Sequence, residues 1–129
     1  MTKKKEQKTI KTMKTLDLVL KGKWYDMIAS GKKTEEYREI KPYWEKRLLD
    51  YEAIKRDYEM LAFRRFLVGK GVDPLEYPRG FTHVCFHRGY TKITMTFEID
   101  SITFGKGKEE WGAEPGKMYF VIKLKRRSE

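Results

Sequence analysis

The sequence predicts a mainly β fold with α elements, a small β-barrel of about five to six strands with flanking helices, with an open α+β sheet as the alternative. Three observations lead there. Apolar and polar residues alternate over short stretches in the first and last thirds of the chain, the period-two signature of strands with one buried face. The phase of that alternation flips within the longest stretch, around Asp100, as a bulge or sharp barrel bend requires. Between the β-rich parts lies one extended helical pattern closed by glycines and prolines. At 129 residues the chain fits one domain and can bury a core without disulfides or structural metals.

Residues 1–14 carry Lys3, Lys4, Lys5, Lys8, Lys11 and Lys14 with no periodic apolar face, and are expected to form a flexible basic arm. The domain then runs over residues 15–127. Leu16, Leu18 and Leu20 alternate with Asp17, Val19 and Lys21, a half-buried strand. A short helix is expected over Lys23 to Ser30, with Trp24 and Ile28 on one side and Gly31 as the left-handed residue that ends it. Thr34 to Ile40 reads as a second strand. Pro42 suits the first turn of a new helix, where its missing N–H costs nothing. Leu48, Tyr51, Ile54, Tyr58 and Leu61, spaced by three and four, make Tyr43 to about Val68 amphipathic helix, whole or broken in two. Gly69, Gly71, Pro74, Pro78 and Gly80 close it, so residues 43–80 are a helical elaboration on the β scaffold.

In the last third, Phe81 to Arg88 forms a strand and Gly89-Tyr90 a tight turn. A long strand follows, with Ile93, Met95, Phe97 and Ile99 on one face, then Ile102 and Phe104 after the flip. Gly105 to Gly116 is a loop around Trp111 and Pro115. The final strand turns Met118, Phe120, Ile122 and Leu124 inward.

Charge is the strongest bulk signal: 29 Lys plus Arg against 19 Asp plus Glu, a formal net of +10. Such an excess concentrates polyanions, nucleic acid foremost. The six lysines of the arm, with Lys123, Lys125, Arg126 and Arg127 at the other end, equal that net in number, so solvated tails account for it equally well. The single cysteine, Cys85, forms no intramolecular disulfide and fits a reducing compartment. No segment reaches the roughly 18 apolar residues of a membrane helix. The Lys-rich start is followed by no apolar signal region. A cytoplasmic protein without membrane association is expected.

The segment Gly31-Lys32-Lys33-Thr34-Glu35-Glu36-Tyr37-Arg38 reads Gly-x-Lys-x-x-Glu-x-Arg, after a strand and a short helix and at the start of the next strand. In a strand Glu36 and Arg38 project to one side, where the carboxylate can orient the guanidinium for bidentate phosphate recognition. Lys33 adds a mobile positive charge at the strand's entrance. Taken by themselves, the same residues equally describe a structural ion pair beside a solvated lysine.

This arrangement resembles the ASCH domain, whose fold is similar to that of the PUA RNA-binding domains. The likeness covers most of residues 16–125, including the terminal Met118-Tyr119-Phe120-Val121-Ile122 strand. It implies a PUA-like barrel with a basic cleft in which Gly31, Lys33, Glu36 and Arg38 meet single-stranded RNA, a nucleotide or a modified base. Some ASCH-like proteins are similar to small hydrolases that cut RNA or remove an acyl group from a cytosine amine; for such an enzyme Lys33 and Glu36 are the catalytic candidates. In the amidohydrolase branch the lysine works with a threonine and a glutamate, and here Glu36 stands at the threonine's position.

His87-Arg88-Gly89-Tyr90 places an imidazole, a guanidinium and an aromatic ring around one turn, with Arg88 suited to phosphate and Tyr90 to base stacking. Trp24, Tyr37, Trp44 and Trp111 are further stacking candidates, or core. His83, Cys85 and His87 share one face of a strand, but at about 3.3 Å per residue the two histidines lie roughly 13 Å apart and cannot share an ion. Cys85 and His87 would need ligands from elsewhere, so no metal and no cofactor is assigned. Glu98 and Asp100 are acidic positions on the long strand that sequence does not orient. Three functional classes follow: an RNA- or nucleotide-binding module; a hydrolase in which a Lys33 amine of lowered pKa works with Glu36 or Glu98; and a protein-interaction domain acting through an apolar stripe on residues 44–66.

Overall fold

The computed structural model describes residues 14–49 and 80–128. Its five strands, β1 (Thr15–Leu20), β2 (Glu35–Glu39), β3 (His83–Arg88), β4 (Thr94–Lys106) and β5 (Met118–Arg127), form one sheet in the order β1-β3-β4-β5-β2. β1 runs parallel to β3, and the other three pairings are antiparallel. Helix α1 (Gly22–Ala29) carries the chain from β1 to β2, so strands adjacent in sequence stand at opposite edges of the sheet. Helix α2 (Pro42–Leu48) follows β2. The sheet curls into a half-barrel, and Arg38 on edge strand β2 reaches the Val19 carbonyl on edge strand β1, at 3.2 Å. The mainly β fold with flanking helices is the expected one. The arm over residues 1–13 and most of the elaboration over 43–80 lie outside the described residues, as does the apolar stripe beyond Leu49.

The alternation in β1 is realised without exception: Leu16, Leu18 and Leu20 are buried while Thr15, Asp17 and Val19 are exposed. They meet Val84 and Phe86 of β3, Met95, Ile102 and Phe104 of β4, and Phe120 and Ile122 of β5 in the main core. Pro42 opens α2 as expected, and Leu48 and Leu49 join the same core. The phase flip in β4 is a break in register against β5 on both sides of Ile99, which returns Ile102 and Phe104 to the interior.

Three expected placements change. In α1 the buried pair is Tyr25 and Ile28 rather than Trp24 and Ile28. Trp24 instead faces the loop after β4, where a Cβ on Gly112 would lie 3.1 Å from its ring. Ile93 is exposed, because it precedes β4 and its carbonyl closes the hairpin by accepting from the Arg88 N–H at 2.9 Å. In β5 the inward set is joined by Tyr119 and Val121, buried on the opposite face with Tyr37 and Ala113. The loop between β4 and β5 folds back over that face, so β5 reads as a continuous apolar run at Met118 to Ile122.

Phe120 is fully buried between β4 and β2 and packs against Phe104 at 4.9 Å between ring centroids. Phe120→Ala is expected to lower unfolding free energy by about 3–5 kcal/mol, read from urea denaturation.

Candidate functional site

The Gly-x-Lys-x-x-Glu-x-Arg segment begins with a sharp reversal. Gly31 sits at φ 84°, and past it the Lys33 N–H donates back to the Met27 carbonyl at 3.0 Å. That reversal sends Lys33 inward. Its side chain is buried, 1% exposed overall, with the amine near the rings of Tyr37 and Trp24 at 5.2 and 5.8 Å from their centroids. The amine donates to the Glu35 carbonyl at 2.6 Å and to Glu36 Oε1 at 2.5 Å. Lys33 is therefore a pinned interior cation and not the mobile surface charge that its place at a strand entrance suggested.

Glu36, itself buried, divides its carboxylate between two cations. Oε1 takes Lys33, and Oε2 accepts from Arg38 Nη1. The same guanidinium donates to the Tyr37 carbonyl at 2.9 Å and to Val19 across the sheet gap, and lies 5.2 Å from the Trp44 ring centroid. Burial pulls the Lys33 pKa down and the Glu36 charge pulls it back up, while Arg38 adds to the lowering; the net direction is down.

Beside this network lies a cavity of about 180 Å³. Glu36 and Arg38 form its polar wall; Trp24, Tyr37, Trp111 and Tyr119, with the Gly112 backbone, form the rest. Side chains from both faces of β2 contribute, so the cavity straddles the edge of that strand. Two tyrosine hydroxyls hold the loop that walls it: Tyr37 accepts from the Lys108 N–H at 3.0 Å and Tyr119 from the Glu114 N–H at 2.9 Å. Tyr37 also donates to Glu35 Oε1 at 2.8 Å. Desolvation drives the Tyr37 pKa far above its ordinary value. Gly112, at φ 100°, lets the loop backbone lie against Trp24.

Compared with protein-family models, curated proteins and solved structures, the chain matches none.

Of the sequence candidates, Lys33, Glu36 and Arg38 are thus brought together; Glu36, Arg38, Trp24, Tyr37 and Trp111 line the cavity, while Lys33 is held behind Glu36 and Gly31, which turns the chain, is not among the lining residues. His87, Arg88 and Tyr90 are not among the cavity's lining residues. His87 bonds Asp17 on the outer face of the sheet, Arg88 makes a two-point ion pair with Asp26 of α1, and Tyr90 projects fully into solvent. Glu98 pairs with Arg126, away from the cavity lining. Tyr119 was missed, since strand alternation assigned its face to solvent; the unbroken apolar run around it was the available signal. A larger hollow of about 310 Å³ lies between Lys14, Lys46, Arg47 and Phe81, at the ends of the described segments. It contains no residue of the motif, so the smaller cavity is the candidate site.

Two predictions follow from the buried network. Glu36→Leu strands the Lys33 charge and is expected to cost about 3–5 kcal/mol of stability, whereas Lys33→Met combined with Glu36→Leu costs less than Glu36→Leu alone; chemical denaturation of the two variants checks this. Tyr37 contributes with a definite sign: its pKa is raised on folding from 10.0, so its stabilisation is complete below pH 10 and drains away above it. Lys33, lowered from 10.5, acts oppositely, its burial penalty easing as pH rises towards that value. Tyr37→Phe is therefore expected to cost about 1–3 kcal/mol near neutrality, and its deficit against the wild type should shrink as pH climbs beyond 10.

Proposed function

We propose that this cavity binds a single nucleobase, presented by single-stranded RNA or by a free nucleotide, and that the protein is an RNA- or nucleotide-binding domain of PUA-like, ASCH type. The observation that carries the reading is the pairing of an aromatic-walled hollow with one carboxylate and one guanidinium at its polar side. Its size is apt. A cavity near 150 Å³ holds one benzene ring, and pockets for drug-sized ligands start at about 300 Å³. About 180 Å³ suits one heterocycle and not a stacked pair. Aromatic faces accept any base, Glu36 offers acceptor oxygens to a base edge, and Arg38, still 17% exposed, offers a positive charge to a neighbouring phosphate. The net charge of +10 supplies approach from a distance.

A hydrolytic use of the same cavity draws on one observation, the lowered pKa of Lys33, which suits a proton-transfer group. Against it, that amine is already engaged by two acceptors and is 1% exposed. Binding is the stronger reading.

Anisotropy titration of a labelled, short single-stranded RNA tests the proposal. Trp111→Ala is expected to weaken binding by about 1–3 kcal/mol, with Arg38→Gln weakening it too. Truncating residues 1–13, which removes Lys3, Lys4, Lys5, Lys8 and Lys11, should flatten the salt dependence without abolishing the Trp111 effect. Full affinity in a Trp111→Ala/Arg38→Gln double variant would show that the cavity is not the binding site. RNA left intact, together with no release of cytidine from an acylated cytidine, sets the hydrolytic use aside.

A further inference from the structure

The outer face of the sheet carries a second chemical grouping, independent of the cavity. β1 and β3 lie parallel with Asp17 opposite Cys85 and Val19 opposite His87. One donor atom each from Asp17, Cys85 and His87 converge so that all three lie within 4.8 Å of one another. His87 Nε2 and Asp17 Oδ1 are already 2.9 Å apart. Asp17 is 70 residues from His87 in sequence, and only strand pairing makes them neighbours.

We propose that Asp17, Cys85 and His87 form a three-ligand site for a divalent transition metal, zinc foremost, with its fourth position open to solvent. The donor set is a thiolate, an imidazole and a carboxylate, a combination suited to zinc and poorly suited to calcium or magnesium, which take oxygen ligands. Tetrahedral zinc with its usual bond lengths holds ligand atoms about 3.3–3.8 Å apart. The three donors stand within 4.8 Å of one another, about 1 Å beyond that spacing, on the outer, partly exposed face of paired strands. The ion would take the place of the direct hydrogen bond between His87 and Asp17.

Of the nearby charges, Glu98 on this face is already paired with Arg126. On this face the pairing places Thr15, Asp17 and Val19 beside His83, Cys85 and His87, and these beside Glu98, Thr96 and Thr94. In a chain of net charge +10, none of these positions is a lysine or arginine. The carboxylate and the thiolate together would balance a divalent ion, whose binding displaces the thiol proton.

The test uses the full chain, reduced, and Co²⁺ as a spectroscopic stand-in for zinc. Because Cys85 is the chain's single thiol, a thiolate-to-cobalt charge-transfer band reports this position and no other. One equivalent of Co²⁺ is expected to produce that band, zinc to displace it, and Cys85→Ser to abolish it. Asp17→Asn and His87→Gln should each weaken Co²⁺ binding at least about tenfold, the least that loss of even an outer-shell partner typically costs. His83→Gln should leave it unchanged. Thermal melts verify that the variants remain folded, and zinc protection of Cys85 against alkylation gives a second readout in the wild type, lost in His87→Gln. No band at one equivalent, or a band equally strong in Asp17→Asn and His87→Gln (an adventitious thiol complex only), overturns the site.

Discussion

The burial of one ammonium group organises the site end of this molecule. Removing Lys33 from water is costly, and the cost is met only because Glu36 and a backbone carbonyl stand within hydrogen-bonding distance in a fixed geometry. Glu36 satisfies Lys33 from three residues along the chain, and the same carboxylate orients Arg38. Arg38 in turn spans from one sheet edge to the other. A single carboxylate thus couples the exit from α1, the line of β2 and the curl of the sheet. Replacing such a network with apolar groups can leave stability intact, so what the charges add here is geometry: one carboxylate fixes the direction of two cations.

The second constraint is the loop between β4 and β5. A connection of this kind usually rides on the surface as the most variable part of a fold. Here Tyr37 and Tyr119 reach through a small second core to hold backbone N–H groups of Lys108 and Glu114, and Trp111 packs against that core. The loop is pinned at two places by hydroxyls whose rings are buried. On the proposed reading, its aromatic wall stands in position before a ligand arrives, which lowers the ordering cost of binding.

Much of this was legible in the sequence because it is local. The strands of β1 and β4, the bulge beyond Ile99, the glycine at the end of α1 and the proline opening α2 each follow from a spacing or a residue's intrinsic geometry. The pairing of Glu36 with Arg38 was legible for the same reason, being a two-residue strand interval. What sequence could not give was depth. Lys33 sits among charged neighbours and reads as surface, but the Gly31 reversal turns it inward beneath Trp24 and Tyr37. The burial of Tyr119 and Val121 likewise depends on a loop returning from elsewhere, and the joining of Asp17 to Cys85 on a parallel pairing between strands far apart in the chain. The last two are long-range contacts that period-two counting does not contain, and the first is a local reversal at one glycine that takes the chain out of the strand period.

Those corrections alter how charge would act in recognition. A mobile surface lysine would attract phosphate but offer little discrimination. With Lys33 sequestered, the charge facing the cavity comes from Arg38, which is itself held on three sides and free on the remainder. A donor so constrained selects by direction as well as sign, since its planar fork rewards only an acceptor approaching in its plane. The chain's remaining positive charge acts over about a Debye length, roughly 8 Å at physiological salt, and affects arrival more than residence. On the proposed reading, affinity and selectivity then separate in space: the diffuse basic surface gathers polyanions of any sequence, while the aromatic hollow with its one fixed guanidinium decides what stays.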